Sequence, residues 1–271
     1  MTAAFVVVPQ WQGSGSSRAM RLVDGAQAIR GDLPSASTHL VDVPLEAGDA
    51  RGTTVQRLGS LLLVRERTLE VLRGIDDVAI TIGGDCGVEL PAIEHALTRT
   101  PDVAVVWFDA HPDLNTPESS PSGAFTGMVL RSLAGDGPAG LVPEAPLAPS
   151  RIVLAGVRDA DPGEQAFIDE HGIALEQQLE PERLVAAVRA TGATSVYLHI
   201  DLDVLDPAEF AGLGSPVPFG ATVAGLVAAI RALRAEFTLA GAGITEFAPA
   251  SEEAAGDDLP TILRLIGALT R

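Results

Sequence analysis

The segment VAVVWFDAHPD, residues 103–113, joins an apolar run to a cluster of acidic and imidazole side chains. Its first six residues are all apolar, which is typical of a strand that is covered by helices on both faces of a parallel sheet. Asp109, His111 and Asp113 follow at every second position, so in an extended chain all three project to one side. The segment therefore predicts a buried strand whose end carries a polar site.

Comparable apolar runs recur along the chain and alternate with segments of helical spacing. The other strand candidates are AAFVVV (3–8), VAITIG (78–83), RIVLAGVR (151–158), SVYLHIDLD (195–203) and LAGAGITEFA (239–248). Helical spacing extends over residues 57–75, 181–192 and 222–236, and residues 257–271 predict a C-terminal helix with Pro260 near its start. This alternation is typical of βαβ units. Because no repeat or linker interrupts it, we expect one α/β domain over residues 1–271, with a parallel sheet covered by helices on both sides.

The overall composition excludes several classes of protein. Of the 271 residues 46% are hydrophobic, and the formal net charge of −18 disfavours binding to nucleic acids or anionic membranes. No apolar stretch approaches the ~18–20 residues that a transmembrane helix needs, and the N-terminal residues lack the basic region of a signal peptide. The single cysteine, Cys86, excludes an internal disulfide. We therefore expect a soluble cytoplasmic protein with no nucleic-acid or membrane partner.

A second acidic pair ends another strand candidate. In HIDLDVLDP, residues 199–207, Asp201 and Asp203 share one side of an extended chain. Such carboxylates repel each other unless a cation lies between them. One pair alone can equally form turns or helix caps, but two clusters that close two apolar strands favour a metal site. Carboxylates with one imidazole suit Mn²⁺ or Mg²⁺, and five such ligands favour two ions, about 3.5–4 Å apart, that share a bridging hydroxide.

Five motifs that contain polar or glycine-rich turns follow one another along the chain. They are GGDC (83–86), DAHPDLNTPESSPSG (109–123), GVRDADPGE (156–164), HIDLDVLDP (199–207) and TEFAP (245–249). In order and spacing this set resembles the arginase (ureohydrolase) family over roughly residues 80–250. The resemblance implies a three-layer α/β/α fold with a mostly parallel sheet, two Mn²⁺ ions, and hydrolysis of a C–N bond in a small-molecule guanidino amino acid. It is also compatible with a homo-oligomer, a trimer or a hexamer in this family.

The resemblance assigns roles to residues at matching positions. The residues that match the metal ligands of the family are Asp109, His111, Asp113, Asp201 and Asp203, and Cys86 stands at a further ligand position. Asp113 would also hydrogen-bond the bridging hydroxide and pass its proton toward the leaving nitrogen. Glu246 matches the glutamate that receives the guanidinium group, and a carboxylate holds a planar cation well in a partly desolvated site. The predicted catalytic residues are therefore Asp113 and Glu246.

Four further residues match the positions that hold the amino-acid end of an arginase substrate. Asn115 and Ser122 match residues that bind the α-carboxylate, whereas Asp161 and Glu164 match those that hold the α-ammonium, directly or through water. Together they favour an amino acid over agmatine, which lacks the carboxylate. The alternative is that Asp161 and Glu164 only cap the helix that follows at Pro162.

The chain departs from the family at two positions where histidine is usual. Cys86 replaces a histidine ligand, and Thr126 replaces a histidine that is commonly assigned to proton transfer to the leaving amine. Both changes should impair hydrolysis of the strongly basic L-arginine and favour a less basic hydroxyguanidine, whose added oxygen Thr126 would accommodate. Nω-hydroxy-L-arginine carries such a group, and the pattern resembles the arginase-family amidinohydrolases of D-cycloserine biosynthesis. This resemblance implies hydrolysis of Nω-hydroxy-L-arginine to hydroxyurea and L-ornithine. The alternatives are an arginase, an agmatinase or another guanidino-acid ureohydrolase and, more distantly, an inactive metal-binding regulatory protein.

Cys86 itself could be a nucleophile, a metal ligand or a buried thiol without a role. Neighbouring carboxylates raise the pKa of a thiol, which disfavours a nucleophile. The resemblance places Cys86 against the more exposed ion, where a soft sulfur should bind a hard ion weakly. His199 precedes Asp201 by two residues, so it could lie near the cluster without binding the ion directly, although we favour a packed strand histidine. We expect Trp107 to fill the core beside the metal-binding strand.

Overall fold

Eight parallel strands form one central sheet. The structure is a computed structural model that describes residues 3–271. The strands are β1 (Ala3–Val8), β2 (Thr38–Leu40), β3 (Val78–Gly83), β4 (Val103–Phe108), β5 (Ile152–Ala155), β6 (Ala174–Glu176), β7 (Ser195–Asp201) and β8 (Thr238–Thr245). Their order across the sheet is β2-β1-β3-β8-β7-β4-β5-β6, and every described pairing of neighbouring strands is parallel.

Helices cover both faces of this sheet. They are α1 (Arg21–Gly31), α2 (Leu58–Arg73), α3 (Glu89–Arg99), α4 (Val129–Leu133), α5 (Pro162–His171), α6 (Pro181–Ala190), α7 (Val223–Glu236) and α8 (Glu252–Thr270). Side chains of α1, α6, α7 and α8 pack into the core on one face, and those of α2, α3, α4 and α5 pack into the core on the other. The predicted three-layer α/β/α fold with a parallel sheet is confirmed. Among the helices of residues 3–271, none is long and apolar enough to span a lipid bilayer.

The continuous apolar runs account for the central strands. Every residue of β4 and of β7 is buried. Along β4, Val106 and Phe108 contribute to one core, whereas Val105 and Trp107 contribute to the other. A strand that is apolar on both faces is stable only between two helical layers, which places β4 and β7 in the interior of the sheet. The prediction that Trp107 fills the core is confirmed, because its side chain is fully buried.

The last helix begins earlier than predicted. Helix α8 starts at Glu252, where the Ser251 hydroxyl accepts a hydrogen bond from the Ala254 N–H at 3.2 Å. Serine is a favourable N-cap, and an acidic first turn is stabilised by the helix dipole, so these residues set the start. Pro260 therefore lies inside the helix, and the prediction that it lies near the start is wrong.

The chain beyond β4 also departs from the extended geometry assumed for its acidic cluster. Strand β4 ends at Phe108, and Asp113 has a left-handed φ of 51°. The backbone N–H groups of Leu130 and Arg131 donate to the Asp113 carbonyl at 3.0 and 3.1 Å and hold this conformation. Such a backbone costs about 1–3 kcal/mol for a residue other than glycine and is typical of functional sites. The extended backbone assumed for this cluster therefore does not continue through Asp113.

The strand order brings the polar segments of the sequence to one edge. Strands β3, β8, β7 and β4 are consecutive neighbours in the sheet. Because they are parallel, their carboxyl ends lie at the same edge, where open α/β sheets bind ligands. The segments that follow these ends carry Cys86, Glu246, Asp203 and Asp109, respectively.

Candidate metal centre and substrate cavity

A cavity of about 170 Å³ opens at the carboxyl edge of the sheet. All predicted site residues line it except Cys86 and Asp109, which are buried. The residues that line it are His111, Asp113, Asn115, Ser122, Thr126, Asp161, Glu164, Asp201, Asp203 and Glu246, together with Ser120, Pro121, Gly127 and Ser215. The fold thus brings together residues from the carboxyl ends of β4, β5, β7 and β8, with Cys86 after β3 buried beside them.

Two groups of side chains in this region can each hold a metal ion. The first group is Cys86, Asp109, His199 and Asp201, which are all buried, and the second is Asp109, His111 and Asp203, in which His111 is partly exposed. Within each group the ligand atoms lie within 4.8 Å of one another. Asp109 belongs to both groups, as a carboxylate shared by two ions would. Cys86 was expected to face the more exposed ion, but its group is the wholly buried one.

Backbone N–H groups orient the carboxylates. Asp109 Oδ1 accepts a hydrogen bond from the His111 N–H at 2.6 Å, and its Oδ2 accepts one from Trp107 Nε1 at 3.0 Å. Asp201 Oδ1 accepts from the Asp203 N–H at 2.7 Å, and Asp203 Oδ1 accepts from the Ala110 N–H at 3.0 Å. These bonds fix the side chains before any ligand binds.

Asp113 lies near both groups but, within residues 3–271, belongs to neither. It lines the cavity, and its Oδ2 is buried without a hydrogen-bond partner among the described residues. A buried carboxylate oxygen without a partner is costly unless a ligand satisfies it. The prediction that Asp113 ligates metal therefore stays a prediction.

Burial and mutual repulsion disfavour the ionised forms of three carboxyl groups at this site. Burial, and then the charge of Asp109, raise the pKa of Asp113 well above its ordinary value, and burial with the Asp203 charge does the same for Asp201. Burial and the Asp109 charge raise the pKa of Asp203 to about 6. Carboxylates that repel one another in this way are stabilised by a divalent ion, and their oxygen-rich donor set fits one.

Cys86 is buried in the middle of this acidic region. Its Sγ donates to Asp201 Oδ2 at 3.1 Å and lies 4.0 Å from His199 Nε2. Burial, followed by the charges of Asp201 and Asp113, raises the pKa of the thiol well above its ordinary value. Without a cation the thiol therefore stays protonated, which confirms the expected effect of the carboxylates and disfavours a nucleophile.

Glu246 and Thr126 form a hydrogen-bonded pair in the wall of the cavity. Thr126 Oγ1 donates to Glu246 Oε1 at 2.9 Å, and the Cys86 N–H donates to the same oxygen at 3.3 Å. Glu246 has a left-handed φ of 63°. Burial, and then the charge of Asp85, raise its pKa to about 8. A cationic group beside this carboxylate would restore its charged form.

The residues predicted to hold an amino-acid end form a connected network. Asn115 Nδ2 donates to Asp161 Oδ2 at 2.9 Å. Glu164 Oε1 accepts from the Leu114 N–H at 2.9 Å, and its Oε2 accepts from the Asp161 N–H at 2.8 Å, at the start of α5. Glu164 thus performs the capping role that was the alternative to substrate binding. Ser122 lines the same cavity, and a substrate contact for each of these residues stays a prediction.

Sequence reasoning missed three residues that build the site. His199 was expected to pack in its strand or at most to lie beside the cluster, yet it belongs to the buried donor group. Its position two residues before Asp201 was a usable signal, because alternate residues of a strand share a face. Glu89 contacts His199, and Asp85 anchors the turn before Cys86. Nothing in their local sequence distinguishes them from surface acids.

Replacing Asp85 by alanine should destabilise the protein by about 2–4 kcal/mol, because buried donors would lose their acceptor. Asp85 Oδ1 accepts from Gln10 Nε2 and from the Gly87 N–H, each at 2.8 Å, and its Oδ2 accepts from the Gly13 N–H at 2.8 Å. Urea denaturation measures the change, with the exposed Asp77→Ala as the matched control. An Asp85→Ala variant as stable as the control would contradict this role.

A parallel sheet with two groups of possible metal ligands at its carboxyl edge is typical of a class of metal-dependent hydrolases. The arginase family model matches residues 14–265. An N(omega)-hydroxy-L-arginine amidinohydrolase from Streptomyces lavendulae is 30% identical over 261 residues, which cover 94% of this chain and 90% of that protein. The chain belongs to the arginase family.

Other similar proteins support the same family assignment. An arginase from Staphylococcus aureus is 35% identical over 154 residues, which are 53% of this chain and 51% of that arginase, so the chain matches about half the length of that relative. The crystal structure of Entamoeba histolytica arginase in complex with L-ornithine superposes with a TM-score of 0.85 at 26% identity. The superposition covers 98% of this chain and 97% of that one.

Proposed function

We propose that the chain is a binuclear manganese amidinohydrolase that hydrolyses Nω-hydroxy-L-arginine to hydroxyurea and L-ornithine. The observation that carries the proposal is the Thr126–Glu246 hydrogen bond of 2.9 Å beside the acidic centre. It places a neutral hydroxyl beside the carboxylate that receives the guanidine-type group. A hydroxyl can bind the added oxygen of a hydroxyguanidine, and the lower basicity of that group makes its neutral, more electrophilic form accessible without a histidine at position 126. The amidinohydrolase from Streptomyces lavendulae supports the same substrate.

The chain's own residues would hold two Mn²⁺ ions. The two candidate groups, which share Asp109, would each hold one ion, and Asp113 would join them through its unpartnered oxygen. When bound, the ions supply Lewis-acid activation of a water molecule. The remaining steps depend on side chains. Glu246 orients the hydroxyguanidine, and Asp113 Oδ1, the oxygen that is not assigned to the ions, accepts a proton from the water and delivers it to the nitrogen that leaves as L-ornithine.

Another group of residues in the cavity wall would select an amino acid. Asn115 and Ser122 offer neutral groups to an α-carboxylate, and Asp161 and Glu164 offer acids to an α-ammonium. Burial raises the pKa of Glu164 to about 7, and a nearby ammonium would stabilise its ionised form. The bond between Asn115 and Asp161 holds the two halves of this group at a fixed spacing.

Kinetics on three substrates test the proposal. We expect kcat/KM for Nω-hydroxy-L-arginine to exceed that for L-arginine at least about tenfold, equal to about 1.4 kcal/mol of transition-state stabilisation. Agmatine, which leaves the carboxylate subsite empty, should be the poorest of the three. Equal turnover of L-arginine would identify an arginase, and preference for agmatine would contradict the amino-acid subsite. No hydrolysis with both metals bound would identify a regulatory metal-binding protein.

Further features of the protein follow from the same proposal. Residues 1–271 would form one hydrolase domain in the cytoplasm that acts on a small molecule, without nucleic-acid or membrane partners. The net charge of −18 supports the absence of anionic partners. Assembly into a trimer or a hexamer would follow the family.

A further inference from the structure

A buried imidazole faces the donor group that contains Cys86. His199, on β7, is fully buried, and its ring stacks on Trp107 with a centroid distance of 3.5 Å. His199 Nε2 lies 4.0 Å from Cys86 Sγ and 3.8 Å from Asp109 Oδ2. Stacking fixes the plane of the ring, so Nε2 is held toward these two ligand atoms.

A buried carboxylate lies on the opposite side of the same ring. Glu89 Oε2 is 3.5 Å from His199 Nδ1, and both side chains are fully buried. Neither Glu89 oxygen has a hydrogen-bond partner among the residues that the structure describes. Gly243 on β8 provides the space, because a Cβ at that position would lie 1.8 Å from Glu89 Oε1. The absence of a side chain at Gly243 therefore leaves room in the sheet for a carboxylate beside His199 Nδ1.

This arrangement has a chemical explanation if Nε2 binds a metal ion. A buried carboxylate is costly unless it is paired. Metal-binding histidines commonly donate their second ring N–H to a carboxylate, which fixes the tautomer and raises the basicity of the ligand nitrogen. Glu89 Oε2, at 3.5 Å from Nδ1, is placed to accept that N–H, and this tautomer would leave Nε2 able to bind a cation.

The distances fit one ion. Donor atoms that bind one ion at about 2.0–2.3 Å lie no more than about 4.6 Å apart. The separations of 4.0 Å from His199 Nε2 to Cys86 Sγ and of 3.8 Å from His199 Nε2 to Asp109 Oδ2 are within this limit. The distance of 3.1 Å from Cys86 Sγ to Asp201 Oδ2 also lies within this limit.

We propose that His199, oriented by Glu89, is a ligand through Nε2 of the ion held by Cys86, Asp109 and Asp201. The inference deepens the metal centre of the proposed function and rests on it. One sulfur, one nitrogen and two carboxylates form a softer donor set than Asp109, His111 and Asp203. The imidazole therefore strengthens a site that a thiol and carboxylates alone would hold weakly.

Metal binding to variants tests the assignment. Mn²⁺ affinities are measured by chelator competition for the wild type, His199→Gln and Glu89→Gln, with His39→Gln on the edge strand β2 as the matched control. We expect His199→Gln to weaken one of two sites at least about 100-fold and Glu89→Gln to weaken the same site about 10- to 100-fold. The other site and the control should keep wild-type affinity. Wild-type affinity at both sites in His199→Gln would overturn the assignment.

A spectroscopic measurement covers the case in which His199→Gln fails to fold. Pulsed EPR of the Mn²⁺-loaded wild type, with ¹⁵N-labelled histidine, should show couplings from two imidazole nitrogens, those of His199 and His111. Coupling from His111 alone would overturn the assignment. A wild type that shows both couplings but hydrolyses no guanidino compound would contradict the proposed function and leave the assignment standing.

Discussion

Asp109→Asn should abolish binding of at least one metal ion and reduce kcat/KM at least about 1,000-fold, since metal assistance supplies several kcal/mol of transition-state stabilisation. Asp109 is the residue common to both donor groups, so one change weakens both sites. Asparagine keeps the size of the side chain but removes its charge. Metal content by elemental analysis and steady-state kinetics measure the two effects.

Asp102→Asn is the matched control for this experiment. Asp102 precedes the same strand, β4, at the opposite edge of the sheet, and its Oδ2 accepts a hydrogen bond from Thr194 Oγ1 at 2.6 Å. The control should retain wild-type metal content and activity. If Asp109→Asn bound two ions as tightly as the control does, the shared-carboxylate arrangement would be refuted.

Glu246→Gln should reduce kcat/KM about 100-fold, near the upper end of the ~1.5–3 kcal/mol that a hydrogen bond to a charged group contributes. The Glu246 carboxylate lines the cavity and accepts a hydrogen bond from the Thr126 hydroxyl. Glutamine preserves the shape but cannot pair with a cationic substrate group. Because Glu246 lies outside both donor groups, metal content should not change.

The exposed Glu253→Gln in α8 is the control for Glu246→Gln. Only Glu246→Gln should raise KM and lower kcat/KM. Wild-type kinetics in Glu246→Gln would exclude contact with the substrate, whereas lost metal would show that Glu246 acts through the metal centre.

The central strands and most of the acidic centre were predictable from sequence because their signals are local. Strand β4 is apolar throughout, and the polar residues begin directly after Phe108. Asp201 and Asp203 likewise stand where the buried strand β7 ends. Parallel strands place such ends at one edge, so the sequence alone implied that the clusters meet.

The remaining features depend on contacts that local sequence does not encode. Strands β2 and β6 have three residues each and lie at the two edges of the sheet, so they bear little apolar signal. Glu89 opens α3 in a position typical of exposed acids, and only Gly243, far along the chain, makes it a buried partner of His199. The left-handed backbone of Asp113 is imposed by bonds from Leu130 and Arg131.

Hydrolysis in H₂¹⁸O with Mn²⁺-loaded protein and Nω-hydroxy-L-arginine tests the central claim most directly. Attack of water on the central carbon places one solvent oxygen in hydroxyurea and none in L-ornithine, and mass spectrometry of both products reads this out. We predict single ¹⁸O labelling of hydroxyurea with unlabelled L-ornithine. Absence of L-ornithine while two ions are bound, or label in L-ornithine, would contradict metal-assisted hydrolysis at this site.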